Sequence, residues 1–209
     1  MDKRIKLNQT EMCNYYIREQ KVFEYGNEFF KDLCGCLVST ETCFFVNDNV
    51  IPLSCYNIME ACIYAVENKT DNVVQGGFVS ACKKQAYIRI GIDTQNSILN
   101  KKLKQTIRHE IIHYYLWLVD LPHEDDSLEF WCLCYAFDGG AYEALSDENK
   151  EYYELFKELY DTKVKDLPWN VSHILIGQMI TFLGKTSKDK YVGVITDLVD
   201  NIKKMYSMV

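Results

Sequence analysis

Only 3 prolines and 10 glycines interrupt the 209 residues, and no Gly/Ser-rich linker, low-complexity run or internal repeat sets one part of the chain off from another. Nothing marks a domain boundary. A chain of this length with 48% hydrophobic residues builds one well-formed core more readily than two, so a single domain over 1–209 is expected. Positive charge is also in short supply. With 23 Lys and Arg against 30 Asp and Glu the formal charge is −7, a field that does not draw in nucleic acid, and no nucleic-acid binding is expected. Long apolar runs are missing as well: the stretch from Val171 to Leu183 is broken by His173 and Gln178 and is too short to cross a bilayer. The first residues, Met1-Asp2-Lys3-Arg4-Ile5-Lys6, lead into polar sequence with no apolar signal-peptide core. The expected location is therefore cytoplasmic and away from membranes, with the 9 cysteines reduced. No C-x-x-C pair occurs either. Cys34-Gly35-Cys36 and Cys132-Leu133-Cys134 have the wrong spacing for a tight structural zinc site and read as buried thiols.

What is present falls into three parts. Residues 1–75 read as mainly helical. Aromatic and apolar residues recur at mixed helical spacing from Glu11 to Leu33, Thr42 to Val46 is β-prone, and Ser54 is placed to cap a helix running to about Val66. Residues 76–137 carry the clearest signals. Ala86, Ile88, Ile90 and Ile92 alternate with Tyr87, Arg89 and Gly91, the mark of a strand with one buried face. Gly76-Gly77-Phe78-Val79 is positioned to pair with it through a turn near Lys83-Lys84, giving a small, partly antiparallel sheet. After a cap region at Asp93-Thr94, the residues Leu99, Leu103, Ile107, Ile111, Tyr115 and Leu118 form one stripe of a long helix that should stop near Asp120, ahead of Pro122. A further helix follows from Leu128 to Phe137. Residues 138–209 read as helices after Ser146, after Pro168 and around Ile195 to Ile202. A β-containing middle flanked by helices makes the class α+β.

The long helix carries His109-Glu110-Ile111-Ile112-His113. Histidines four residues apart project from one helix face about a turn apart, within reach of a single metal ion. Glu110, one residue further round, is placed to act as general base on a metal-activated water, so the pattern points to Zn2+ and peptide-bond hydrolysis. Chance produces such a pattern now and then; its place on an amphipathic helix preceded by an alternating strand gives it mechanical meaning. A catalytic zinc needs a third protein ligand and an open position. His123, just after Leu121-Pro122 where the chain turns back, is the first candidate, with Glu129 and Asp126 as alternatives. Glu124 and Asp125 read as charges compensating a helix N-terminus. His173 reads as a core-edge histidine, and Lys101, Lys102, Lys104 and Arg108 as a solvated basic face.

From Gly76 to Trp131 the chain resembles the SprT-like zinc metallopeptidases, a zincin-like family. The resemblance rests on Tyr87-Ile88-Arg89-Ile90, on Arg108-His109-Glu110-Ile111-Ile112-His113-Tyr114-Tyr115-Leu116, and on His123 with Glu129-Phe130-Trp131 beyond it. It implies zinc ligands at His109, His113 and His123, with Glu110 as the catalytic base and a protein or peptide as substrate. The chain departs from that family in having Glu124-Asp125-Asp126 where a Gly and a Phe usually follow the histidine, and in lacking a C-terminal zinc ribbon. A second resemblance, to the phage-associated ImmA/IrrE-like peptidases linked to repressor cleavage, implies a carboxylate third ligand at Glu129 or Asp126. Outside catalysis, the same motif would suit a zinc-braced interaction module. The sequence sets no oligomeric state.

Overall fold

The computed structural model of the protein describes residues 7–36, 51–57, 76–82, 85–92, 98–141 and 145–207. In chain order these form α1 (Gln9–Cys34), β1 (Leu53–Asn57), β2 (Gly76–Cys82), β3 (Gln85–Ile92), α2 (Lys101–Leu118), α3 (Leu128–Phe137), α4 (Asp147–Leu159) running into a π-helical turn (Tyr160–Val164), α5 (Trp169–Phe182) and α6 (Lys188–Ser207). The class is α+β, and no described helix is long and apolar enough to cross a membrane.

The sheet has the order β1-β3-β2, with β2 antiparallel and β1 parallel to the central β3. Ile88, Ile90 and Ile92 are buried while Tyr87 and Arg89 are exposed, as the alternation requires. The expected pairing of the Gly76 strand is present, with Phe78 opposite Ile88. The parallel neighbour differs from expectation. Ser54, read as a helix cap, lies inside β1 opposite Arg89. A strand wins there because Leu53 can turn into the core beside β3, and parallel pairing across a long sequence separation leaves no local signature. Thr42 to Val46, the rest of the helix expected after Ser54, the turn at Lys83-Lys84 and the Asp93-Thr94 cap lie outside the described residues.

Helices α1 and α2 pack against each other and against the sheet. Helix α1 begins with a capping box: the Asn8 side chain accepts from the Glu11 N–H at 2.9 Å, and Glu11 accepts from the Asn8 N–H at 2.8 Å. Helix α2 is capped by Asn100, which accepts from the Leu103 N–H at 2.8 Å, so Leu99 precedes the helix rather than opening it. It ends as expected before Pro122. Asp120 adopts a left-handed φ of 57°, the Asp120 N–H donates to the Trp117 carbonyl at 3.2 Å, and the Leu121 N–H donates to the Leu116 carbonyl at 2.9 Å. That closure reverses the chain and sends residues 122–127 back along α2.

Helix α3 then lies on α2, and α4, α5 and α6 close the far side around Phe156, Leu175, Met179, Tyr191 and Ile195, all fully buried. Helix α5 crosses the end of α1 so closely that a side-chain carbon at Gly177 would stand 2.5 Å from the Cys36 carbonyl oxygen. Backbone meets backbone there, and no rotamer change relieves it. Gly177→Ala should destabilise the fold by about 2 kcal/mol or more, read as a lowered urea midpoint with an unchanged slope. Unchanged stability would show that α1 and α5 do not meet at this glycine.

Candidate metal centre

Helix α2 turns His109, Glu110 and His113 to its buried side, and one ligand atom from each lies within 4.8 Å of the others. The two Nε2 atoms are 3.2 Å apart. Two different loops hold the rings. The Nδ1–H of His109 donates to the Gly140 carbonyl at 2.8 Å, and that of His113 donates to the His123 carbonyl. With Nδ1 protonated on each, the tautomer is set and both Nε2 lone pairs face the same point. Aromatic walls restrict the rings further: Phe130 of α3 stacks on His113 with centroids 3.9 Å apart and meets His109 edge-on, while Phe78 of β2 covers the other side of His113.

A third acceptor arrives from the loop between α2 and α3. Asp125 Oδ1 stands 3.2 Å from His109 Nε2 and 3.4 Å from His113 Nε2. The imidazole of His113, joined by that of His109, holds the Asp125 carboxyl below its ordinary range. Burial, in turn, lowers the pKa of His109 and so disfavours a proton as the charge between them. The triangle of 3.2, 3.2 and 3.4 Å matches one face of a tetrahedron, since ligand bonds of about 2.0–2.1 Å space the donor atoms about 3.3–3.4 Å apart. The two Nε2 atoms and Asp125 Oδ1 converge as the ligands of one cation would. The buried His109-Glu110-His113 group can hold a metal ion, and the donors fit one.

The other residues singled out by sequence are placed as follows. His123 lines the same cleft but has its Nδ1 3.2 Å from the Leu121 carbonyl and its Nε2 3.7 Å from Glu124; its closest tie to the histidine pair is its own backbone carbonyl. Asp126 and Glu129 do not line the cleft. Burial raises the pKa of Glu129, partly offset by Lys185 on the turn between α5 and α6. His173 is buried away from the cleft, with its Nδ1–H on the Trp169 carbonyl at 2.8 Å and its ring against Trp169 and Phe137. Cys36, Cys132 and Cys134 are buried free thiols. Asp125 is the residue that sequence reading passed over. Its only signal was an Asp pair ahead of a helix, which capping explains equally well. The loop is anchored by the Trp131 indole N–H, which donates to the Asp125 carbonyl at 2.9 Å.

Glu110 sits beneath β2, where a side-chain carbon at Gly76 would lie 2.6 Å from its Oε1; glycine is needed for that close approach. The carboxylate accepts from the Phe78 backbone N–H, but burial dominates and pushes its pKa up to about 7. Comparison of the chain with models of known protein families, with curated protein sequences and with solved structures found no match in any of the three. Geometry therefore carries the functional reading by itself.

A carboxyl whose pKa rises on folding binds protons more tightly in the native state, so it makes stability fall as pH climbs from about 4.5 to about 7. In metal-free protein, Glu110→Gln should gain on the wild type across that window, by about 3 kcal/mol at pH 8 and by little at pH 4.5. Urea unfolding in chelator at the two pH values measures the gain; equal gains at both would show that the carboxylate is not strained by burial.

Proposed function

We infer that the protein is a zinc-dependent metallopeptidase in which His109, His113 and Asp125 hold the ion and Glu110 is the general base. The observation that carries this reading is the triangle of Nε2, Nε2 and Oδ1 atoms, spaced for one tetrahedral ion and left with an open side toward the cleft. Two imidazoles and a carboxylate are a donor set that suits zinc. When bound, zinc makes water acidic near neutral pH and polarises a carbonyl group. The chain supplies the rest. Glu110, whose carboxylate lies within 4.8 Å of a ligand atom of each histidine, would be the proton carrier, taking a proton from the attacking water and returning it to the leaving amine nitrogen.

Substrate class follows from the walls. The cleft, of about 380 Å3, is lined on one side by Gly76, Gly77, Phe78 and Ser80 of β2, and among the described residues β2 is an edge strand. An extended peptide can add to such an edge through backbone hydrogen bonds, and paired glycines let its backbone come close. A protein or peptide substrate fits that border. A carboxylate in third place agrees in donor chemistry with the ImmA/IrrE-like resemblance, although it comes from the loop before α3 and not from Asp126 or Glu129; the His109, Glu110 and His113 roles are common to both families.

Purified protein should carry about one zinc per chain. Asp125→Ala should lose that zinc at a chelator concentration where His123→Ala keeps it. Glu110→Gln should retain the metal while its hydrolysis of an unfolded protein falls by about 10²- to 10⁴-fold. Zinc lost from His123→Ala and kept by Asp125→Ala would return His123 to the ligand set, and hydrolysis surviving in Glu110→Gln would sink the mechanism.

A further inference from the structure

One acceptor for His109 is the Gly140 backbone carbonyl on the loop after α3, and a loop carbonyl is a loose support unless something fixes it. Here helix α2 fixes it with its own side chains. Gln105, Arg108 and His109 occupy adjacent positions on the helix surface, three and four residues apart. Gln105 Nε2 donates to Asp138 Oδ1 at 2.7 Å, and Arg108 Nη1 donates to Asp138 Oδ2 at 2.9 Å and to the Asp138 carbonyl at 3.3 Å. Both carboxylate oxygens of Asp138 are thereby gripped. Arg108 is itself steered from the other side, its Nε donating to the Tyr25 hydroxyl of α1 at 2.6 Å.

The backbone between Asp138 and the carbonyl is equally constrained. Asp138 has φ 53° and Gly140 φ 70°, and the Gly139 N–H donates to the Cys134 carbonyl at 2.9 Å. At Gly139 a side-chain carbon would meet Ile112 Cδ1 at 2.8 Å. Two residues after the gripped carboxylate, the Gly140 carbonyl lands on His109 Nδ1. The ion pair is too wet to contribute much to stability, with the Arg108 and Asp138 side chains 23% and 53% exposed, so its geometric role outweighs its energetic one.

We propose that Gln105, Arg108 and Asp138 form a positioning clamp that holds the Gly140 carbonyl on His109 and thereby sets the affinity of the centre for its metal. The proposal rests on the metal-binding reading above and concerns positioning residues, not ligands. Supporting groups of this kind typically change metal affinity by about 10- to 100-fold.

Asp138→Gly is the informative variant, because it removes both grips while easing the left-handed backbone instead of straining it. Zinc affinity is read by competition with a chromogenic chelator, and the His109 and His113 Nδ1–H protons are followed by NMR in the zinc-loaded protein. Expected are an affinity about 10-fold or more below wild type and faster exchange of the His109 Nδ1–H, with the His113 Nδ1–H unchanged. Arg108→Gln should shift both in the same direction by less. Affinity within about twofold of wild type, or equal changes at the two histidines, would overturn the clamp. A wild-type protein that takes up no zinc would overturn the metal reading itself, an outcome distinct from a zinc-binding protein indifferent to Asp138.

Discussion

Two hydrogen bonds, from His109 Nδ1 to the Gly140 carbonyl and from His113 Nδ1 to the His123 carbonyl, decide where the imidazole lone pairs point. Without them each ring could rotate or exchange tautomers, and a four-residue spacing on a helix would bring two histidines near each other without aiming them. The acceptors come from the loops on either side of α3, so the seating of α3 on α2 orients both rings at once. Phe130, fully buried and stacked on His113, is the contact through which that seating reaches the centre.

Packing and electrostatics pull against each other here. Burying Glu110 beneath Gly76 costs it much of its charge, as its raised pKa records. Asp125 adds another negative group between two acceptor nitrogens. A metal ion held there would answer these demands together, neutralising the aspartate and favouring the ionised glutamate.

Much of the fold was legible. Ile88, Ile90 and Ile92 face the core as their alternation requires, α3 runs from Leu128 to Phe137, and α4 and α5 start after Ser146 and Pro168. These signals are local, carried by periodicity, caps and breakers. The parallel strand at Leu53 to Asn57 was not legible, because its partner lies about a sixth of the chain away and nothing near Ser54 records the pairing. Arg108 shows the same limit at the level of a side chain. In sequence it belongs to a basic stretch with Lys101, Lys102 and Lys104, a reading that suits a solvated face; in the fold it reaches Tyr25 and Asp138.

The sequence by itself determined the α+β class, the helix that carries the motif and the pairing of His109, Glu110 and His113 on its buried side, since all of these follow from spacing within one element. Tertiary structure alone decided that Asp125 rather than a neighbouring acid faces the imidazoles, that the His123 and Gly140 carbonyls orient them, and that Gly76 lies against Glu110. Those contacts join α2 to β2 and to two loops around α3, and residues brought together by a chain reversal carry no period in sequence from which their meeting could be read.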